Sequence, residues 1–192
     1  VAYSPALYNG FVWDDDHFVT NNPTLRMPNG LKAIWLKPGA RAQYYPLAFT
    51  TLWVEYRIWG EHPVGYHATN IVLHALNAVV LWLVLQGLRV PGAWMIAAVF
   101  ALHPVHVESV AWISERKNVL SGLFYLLAVW SYLHARFPQK SLAVSDPSTS
   151  QPPVRTSSAH LWHGLTVLWY LCALLSKTVT VSLPVILGLV VL

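Results

Sequence analysis

Residues 102–118, LHPVHVESVAWISERKN, gather His103, His106, Glu108, Glu115, Arg116 and Lys117 between two apolar runs, 92–102 and 119–133. That arrangement admits few folds. Sinking these charges into hydrocarbon costs several kcal/mol each. The island must therefore lie at a membrane surface or line a wet cavity while its flanks enter the bilayer. With 55% hydrophobic and only 10% charged residues, against about a quarter charged in soluble domains, the chain reads as an all-α polytopic membrane protein.

Taken in order, residues 1–65 are polar-aromatic and broken by prolines at positions 5, 23, 28, 38, 46 and 63. No run there is long enough to cross a bilayer, so the segment is expected to form one large extramembrane loop. Within it, 30–36 and 47–59 carry apolar residues at helical spacing, with Trp35, Trp53, Tyr56 and Trp59 as anchors, which predicts short interfacial helices. Residues 66–85 supply the about 20 positions a span needs. His67, Asn70, His74 and Asn77 recur at steps of three and four along it, a polar stripe that must face protein or water. A second span runs from 92 to 102 and slightly beyond, where Pro104 ends or kinks it. A third covers 119–135, and 136–160, containing SDPSTSQPPVRTSS, is a flexible loop. A fourth span occupies 161–175 and a fifth begins near 178, giving about five transmembrane helices in all. The organisation is thus a loop 1–65, three spans over 66–135, the flexible loop, and two spans over 161–192.

Both ends read as cut, since the chain starts at Val1 and stops inside an apolar run. Its single cysteine, Cys172, permits no intrachain disulfide, and no lysine- or arginine-rich run suggests nucleic acid as a partner. Counting reversals puts the first loop, the island and Lys177 on one side of the membrane and Arg89 with the serine-rich loop on the other. A bare positive-inside count assigns the first side to the cytoplasm, but most of its cations lie in a long loop, where that rule is weak.

Two places can carry chemistry. FVWDDDHFVTNNP, residues 11–23, sets Asp14, Asp15 and Asp16 in a row among aromatics. Such carboxylates act as a general base, hold a divalent cation, or merely cap a helix start. In the island, His103, His106 and Glu108 resemble metal ligands, yet neither HExxH nor paired CxxC occurs, and no nucleotide-binding motif is present. Arg116, Lys117 and Lys177 can instead clamp a phosphate at headgroup depth or anchor helix ends among lipid headgroups. If 107–116 is helical throughout, Glu108, Trp112 and Glu115 share one face. His67 and His74 stand seven residues apart, about 10 Å along a helix, too far to ligate one haem iron, so packing and hydrogen bonding suit them better.

FVWDDDHFVTNNP, QYYPLAFTTL, GYHATNIVLHALNAVV, ALHPVHVESVAWISERKNVLSGLFYLLA and LLSKTV occur in that order. Together they resemble the membrane region of the TPR-containing transmembrane O-mannosyltransferases and their bacterial homologues, of the GT-C class. The resemblance implies an integral membrane glycosyltransferase whose first extracytoplasmic loop bears a catalytic acidic pair, matched by Asp14 and Asp15, with Asp16 at a variable position. It implies a polyprenyl-phosphate-linked sugar as donor and a protein or glycan hydroxyl as acceptor, typically serine or threonine. It sets the active site on the periplasmic face of a bacterial inner membrane or, for a eukaryotic source, the lumen of the endoplasmic reticulum.

Under that resemblance Asp14 or Asp15 takes the acceptor proton, while Arg116, Lys117 or Lys177 stabilises the departing lipid phosphate. Asp16, His103, His106, Glu108, Glu115 and His67 are expected in support, and whether a metal takes part stays open. The rival reading is a transporter or scaffold that binds a lipid headgroup without chemistry.

Overall fold

The computed structural model describes residues 2–37, 43–137 and 158–189. Every regular element among them is helical. Most of the flexible loop expected over 136–160 lies outside the described residues.

The first segment opens with a 3₁₀ turn, Ser4–Tyr8, and a π-helical turn, Asp16–Thr20. Two short helices follow, α1 (Pro23–Arg26) and α2 (Gly30–Leu36). Asn22 caps α1 by accepting the Thr24 N–H at 3.1 Å, and Pro23 occupies the first helical position, where its missing N–H costs nothing. Helix α3, Pro46–Trp59, also starts on a proline and stops at Gly60, whose φ of 59° a side chain would resist.

These helices do more than rest on a surface. Val19, Leu25, Ile34, Phe49 and Leu52 close one buried cluster with Tyr66 of the first span and Ile113 of the island, and Trp53 and Tyr56 pack against it. The first segment is therefore a cap welded to one end of the helical bundle.

Among the described residues, three helices are long and apolar enough to cross a membrane: Pro63–Gly87, Arg116–Arg136 and Ala159–Ser176. They belong to α4 (Pro63–Gly87), α7 (Arg116–Arg136) and α8 (Ser158–Ser176). Between α4 and α7 run α5 (Ala93–Leu102), a 3₁₀ turn at Pro104–His106 and α6 (Val107–Ala111). This pair bends by 50° and counts as a fourth span if taken together. The break falls where expected: Pro104 cannot continue α5, and His103 before it is extended at ψ 130°. After α8 a 3₁₀ turn, Thr178–Ser182, and α9 (Leu183–Leu189) form a shorter apolar helix where the fifth span is expected to begin.

Helices α7 and α8 are antiparallel neighbours. Phe124 stacks on Trp169 and Trp130 meets Trp162 edge-on, with centroids 5.8 and 5.6 Å apart. Val80 and Val84 of α4, Ala128, Val129 and Leu133 of α7 and Leu183 of α9 form the second core. The first core thus holds the island through Ile113, and the second joins the spans α4 and α7 to α9.

Candidate active site

The acidic stretch is a closed turn with its aspartates in unlike places. The Asp15 N–H donates to the Val12 carbonyl at 3.0 Å, and the Val12 N–H donates back to Asp15 Oδ2 at 3.1 Å. Closing that loop forces Trp13 to φ 53°, a left-handed conformation that a bulky residue rarely adopts. The other carboxylate oxygen, Asp15 Oδ1, accepts the Ser114 N–H at 2.7 Å, and Asp15 is fully buried. Asp14 is exposed, and its carboxylate has no hydrogen-bond or ion-pair partner among the described residues. Asp16 is exposed too and accepts the Thr20 hydroxyl at 2.8 Å. A single backbone turn therefore plants one carboxylate in the protein and presents its neighbour to solvent.

The island that receives Asp15 is held by the polar stripe of α4. Asn70 Nδ2 donates to the Trp112 carbonyl and Asn77 Nδ2 to that of Val119, both at 2.8 Å, and His74 Nε2 lies 3.2 Å from the Ala101 carbonyl. All four stripe residues are buried. Lipid offers no partner for such groups, so the stripe dictates which face of α4 turns inward. His67 is fully buried. Neither of its ring nitrogens makes a direct hydrogen bond of ordinary geometry.

The three cations occupy different settings. Arg116, at the first position of α7, is completely buried and gives each guanidinium nitrogen a protein partner. Nη1 reaches Glu55 Oε2 at 2.8 Å and Thr51 Oγ1 at 3.4 Å, Nη2 reaches the Tyr66 carbonyl at 3.0 Å, and Nε donates to Asn70 Oδ1. A cation at a helix N-terminus opposes the helix dipole, and Glu55 offsets it. Arg116 thus fastens α3, α4 and α7 together, and its donors point away from solvent.

Lys117 pairs with Glu115 Oε1 at 2.9 Å and lies 5.0 Å above the Phe18 ring, one turn beyond Asp14. Lys177, at the end of α8, donates to Asn118 Oδ1. Asn118 in turn donates to Glu115 and, at 3.1 Å, to Ser109 Oγ. Lys117, Glu115, Asn118 and Lys177 are therefore one connected network, and Lys177 is only partly buried.

Of the other expected residues, His103 and His106 meet edge to face while Glu108 stands apart at the surface. His103 is exposed and its Nδ1 caps the 3₁₀ turn by accepting the Val105 N–H at 3.1 Å. His106 packs among the rings of Phe100, His74 and His103, with centroids 4.4, 5.2 and 6.5 Å away. The shared helical face for Glu108, Trp112 and Glu115 does not form, because α6 stops at Ala111 and Trp112 is extended at ψ 127°. Glu108 consequently faces solvent while Glu115 turns into the lysine network. Among the described residues no three His, Cys, Asp or Glu side chains come together to hold a metal ion.

Reading the sequence alone misses Glu55, Asn118 and Ser114. Glu55 leaves a signal, being one acid inside the apolar helix segment LWVEYRIW. Ser114 leaves none, since it contributes only its backbone N–H.

No family model matches the chain, and no solved structure matches it at significance. Curated proteins do. The human protein O-mannosyl-transferase TMTC1 is 34% identical over 79% of this chain, and human TMTC4 is 34% identical over 70%. Mouse TMTC3 is 29% identical over 89% of it. The chain spans only 19%, 22% and 20% of the length of these three proteins respectively. Over most of its length this integral membrane chain is therefore similar to proteins named protein O-mannosyl-transferases of the TMTC group, of whose length it spans about a fifth.

Proposed function

We propose that the chain forms the acidic and cationic halves of a sugar-transfer site in an integral membrane glycosyltransferase. The enzyme moves a mannose-like sugar from a polyprenyl-phosphate donor to a hydroxyl acceptor, the serine or threonine of a protein. The observation that carries this reading is the bond from Ser114 to Asp15, which docks the acidic turn on the island and leaves Asp14 exposed beside it.

Asp14 then acts as general base. It accepts the acceptor's hydroxyl proton as that oxygen bonds to the anomeric carbon, and the bond from that carbon to the phosphate oxygen breaks. The phosphate departs with its lipid and both electrons of that bond, and Lys117 and Lys177 neutralise its growing charge. Arg116 supports the site by fixing the start of α7, from which Lys117 and Asn118 project. Glu115 and Asn118 orient the two lysines. Asp15 sets the position of the turn. The site faces the periplasm or the lumen of the endoplasmic reticulum.

Transfer of labelled sugar by the full-length protein tests this. Asp14→Asn should abolish it while the protein remains folded and donor binding persists. Undiminished transfer by Asp14→Asn would remove the base from this scheme.

A further inference from the structure

Trp13 combines three features that core packing does not require. It holds a left-handed φ of 53°, it is 79% exposed, and its indole stacks on Trp112 at 6.3 Å with an interplanar angle of 18°. Strain of this kind persists only where the surroundings impose it, and it gathers at ligand sites. Here the surroundings are the reciprocal bonds between Val12 and Asp15, so the geometry that buries Asp15 also lifts the Trp13 ring into solvent. The backbone of Trp112 is held as well: its carbonyl accepts from Asn70, whose own oxygen accepts from Arg116.

The result is a stacked pair of indoles that adjoins the exposed carboxylate of Asp14, with one broad face of Trp13 open. Resting on the transferase reading above, we infer that this face is the platform for the donor's hexopyranose ring. A pyranose presents a patch of polarised C–H groups along one side, and these are attracted to the electron-rich face of an indole. Stacked there, the sugar lies on the side of Trp13 opposite Trp112, next to the exposed carboxylate of Asp14. Its anomeric carbon is then held within reach of an acceptor hydroxyl on Asp14. A ring that already rests on a second indole orients the sugar at little entropic cost.

The experiment uses the full-length protein in nanodiscs with two probes, polyprenyl phosphate mannose and sugar-free polyprenyl phosphate. In an Asp14→Asn background, which prevents turnover, binding of both is measured for Trp13, Trp13→Phe and Trp13→Ala, and for Trp112→Ala. The sugar-bearing probe should lose roughly tenfold in affinity in Trp13→Ala, the equivalent of one stacking contact. The sugar-free probe should be unchanged, and Trp13→Phe should retain most of the sugar increment. Equal losses for both probes would make Trp13 a lipid anchor, and unchanged affinity for both would leave it without a ligand; either overturns the platform. A rise in acceptor KM alone, in the active background, overturns it as well. Absence of sugar transfer by the wild-type protein would instead sink the transferase reading, and the binding arms would still report on the sugar.

Discussion

The pair of Arg116 and Glu55 gives the sharpest forecast, because both partners are buried, with side-chain exposures of 1% and 9%. Glu55→Ala strands a guanidinium that keeps only Asn70, Thr51 and the Tyr66 carbonyl as partners, none of them charged. Removing one member of a buried ion pair costs about 3–5 kcal/mol. At about 2–4 °C per kcal/mol for a unit of this size, the thermal midpoint of this unit, followed within the full-length protein in nanodiscs, should fall by roughly 6–20 °C. Replacing both partners with apolar side chains, Glu55→Leu with Arg116→Met, should restore most of that loss, because neither charge of the pair is then left without its partner. The same double variant separates structure from chemistry: its donor KM should stay within about threefold of wild type, less than one lost charged hydrogen bond. Glu55→Ala within about 1 kcal/mol of wild type, or a double variant as unstable as the sum of the single ones, would refute the structural role. A stable double variant that no longer uses donor would make Arg116 a phosphate ligand.

Asp15→Ala should destabilise by about 2–4 kcal/mol, since two backbone N–H groups lose a charged acceptor, whereas Asp14→Ala should shift stability by under about 0.5 kcal/mol; chemical denaturation of the two variants checks this. Lys117→Met and Lys177→Met should each raise the donor KM by on the order of tenfold or more while leaving the acceptor KM alone, read from initial rates with each substrate varied in turn. The surface pair of Arg26 and Glu61, at 2.7 Å, is slightly shorter than the buried one at 2.8 Å, but its side chains are 53% and 54% exposed. Glu61→Ala should therefore cost less than about 1 kcal/mol and lose even that at high salt.

What the sequence discloses follows from which forces are local. Helix positions in this chain are set by apolar runs and proline punctuation, so α2, α3, α4 and the break at Pro104 are legible in advance. The inward face of α4 is legible too, because Asn70, His74 and Asn77 have no tolerable place against lipid. The pairing of Glu55 with Arg116 is not, since 61 residues separate them and any buried cation accepts any buried acid. Island geometry fails for a related reason. The spacing of Glu108, Trp112 and Glu115 permits a helix, but Asn70 takes the Trp112 carbonyl and Asp15 takes the Ser114 N–H, and these tertiary bonds accompany the helix's end at Ala111.

That last competition bears on how two adjacent aspartates divide one task. A carboxylate that must meet a substrate cannot also be held by the protein's own donors, yet an unheld side chain on a loop wanders by more than the ~0.5 Å that productive geometry tolerates. Here the conflict is resolved across a peptide bond: Asp15 spends both oxygens on backbone N–H groups of the turn and the island, and Asp14 inherits a fixed Cα while keeping its oxygens free. Substituting either residue would then depress sugar transfer, Asp14 by removing the proton acceptor and Asp15 by releasing the turn. Activity loss alone cannot tell them apart. The distinguishing signature is the stability of the fold, because only the Asp15 variant leaves the N–H groups of Val12 and Ser114 without an acceptor.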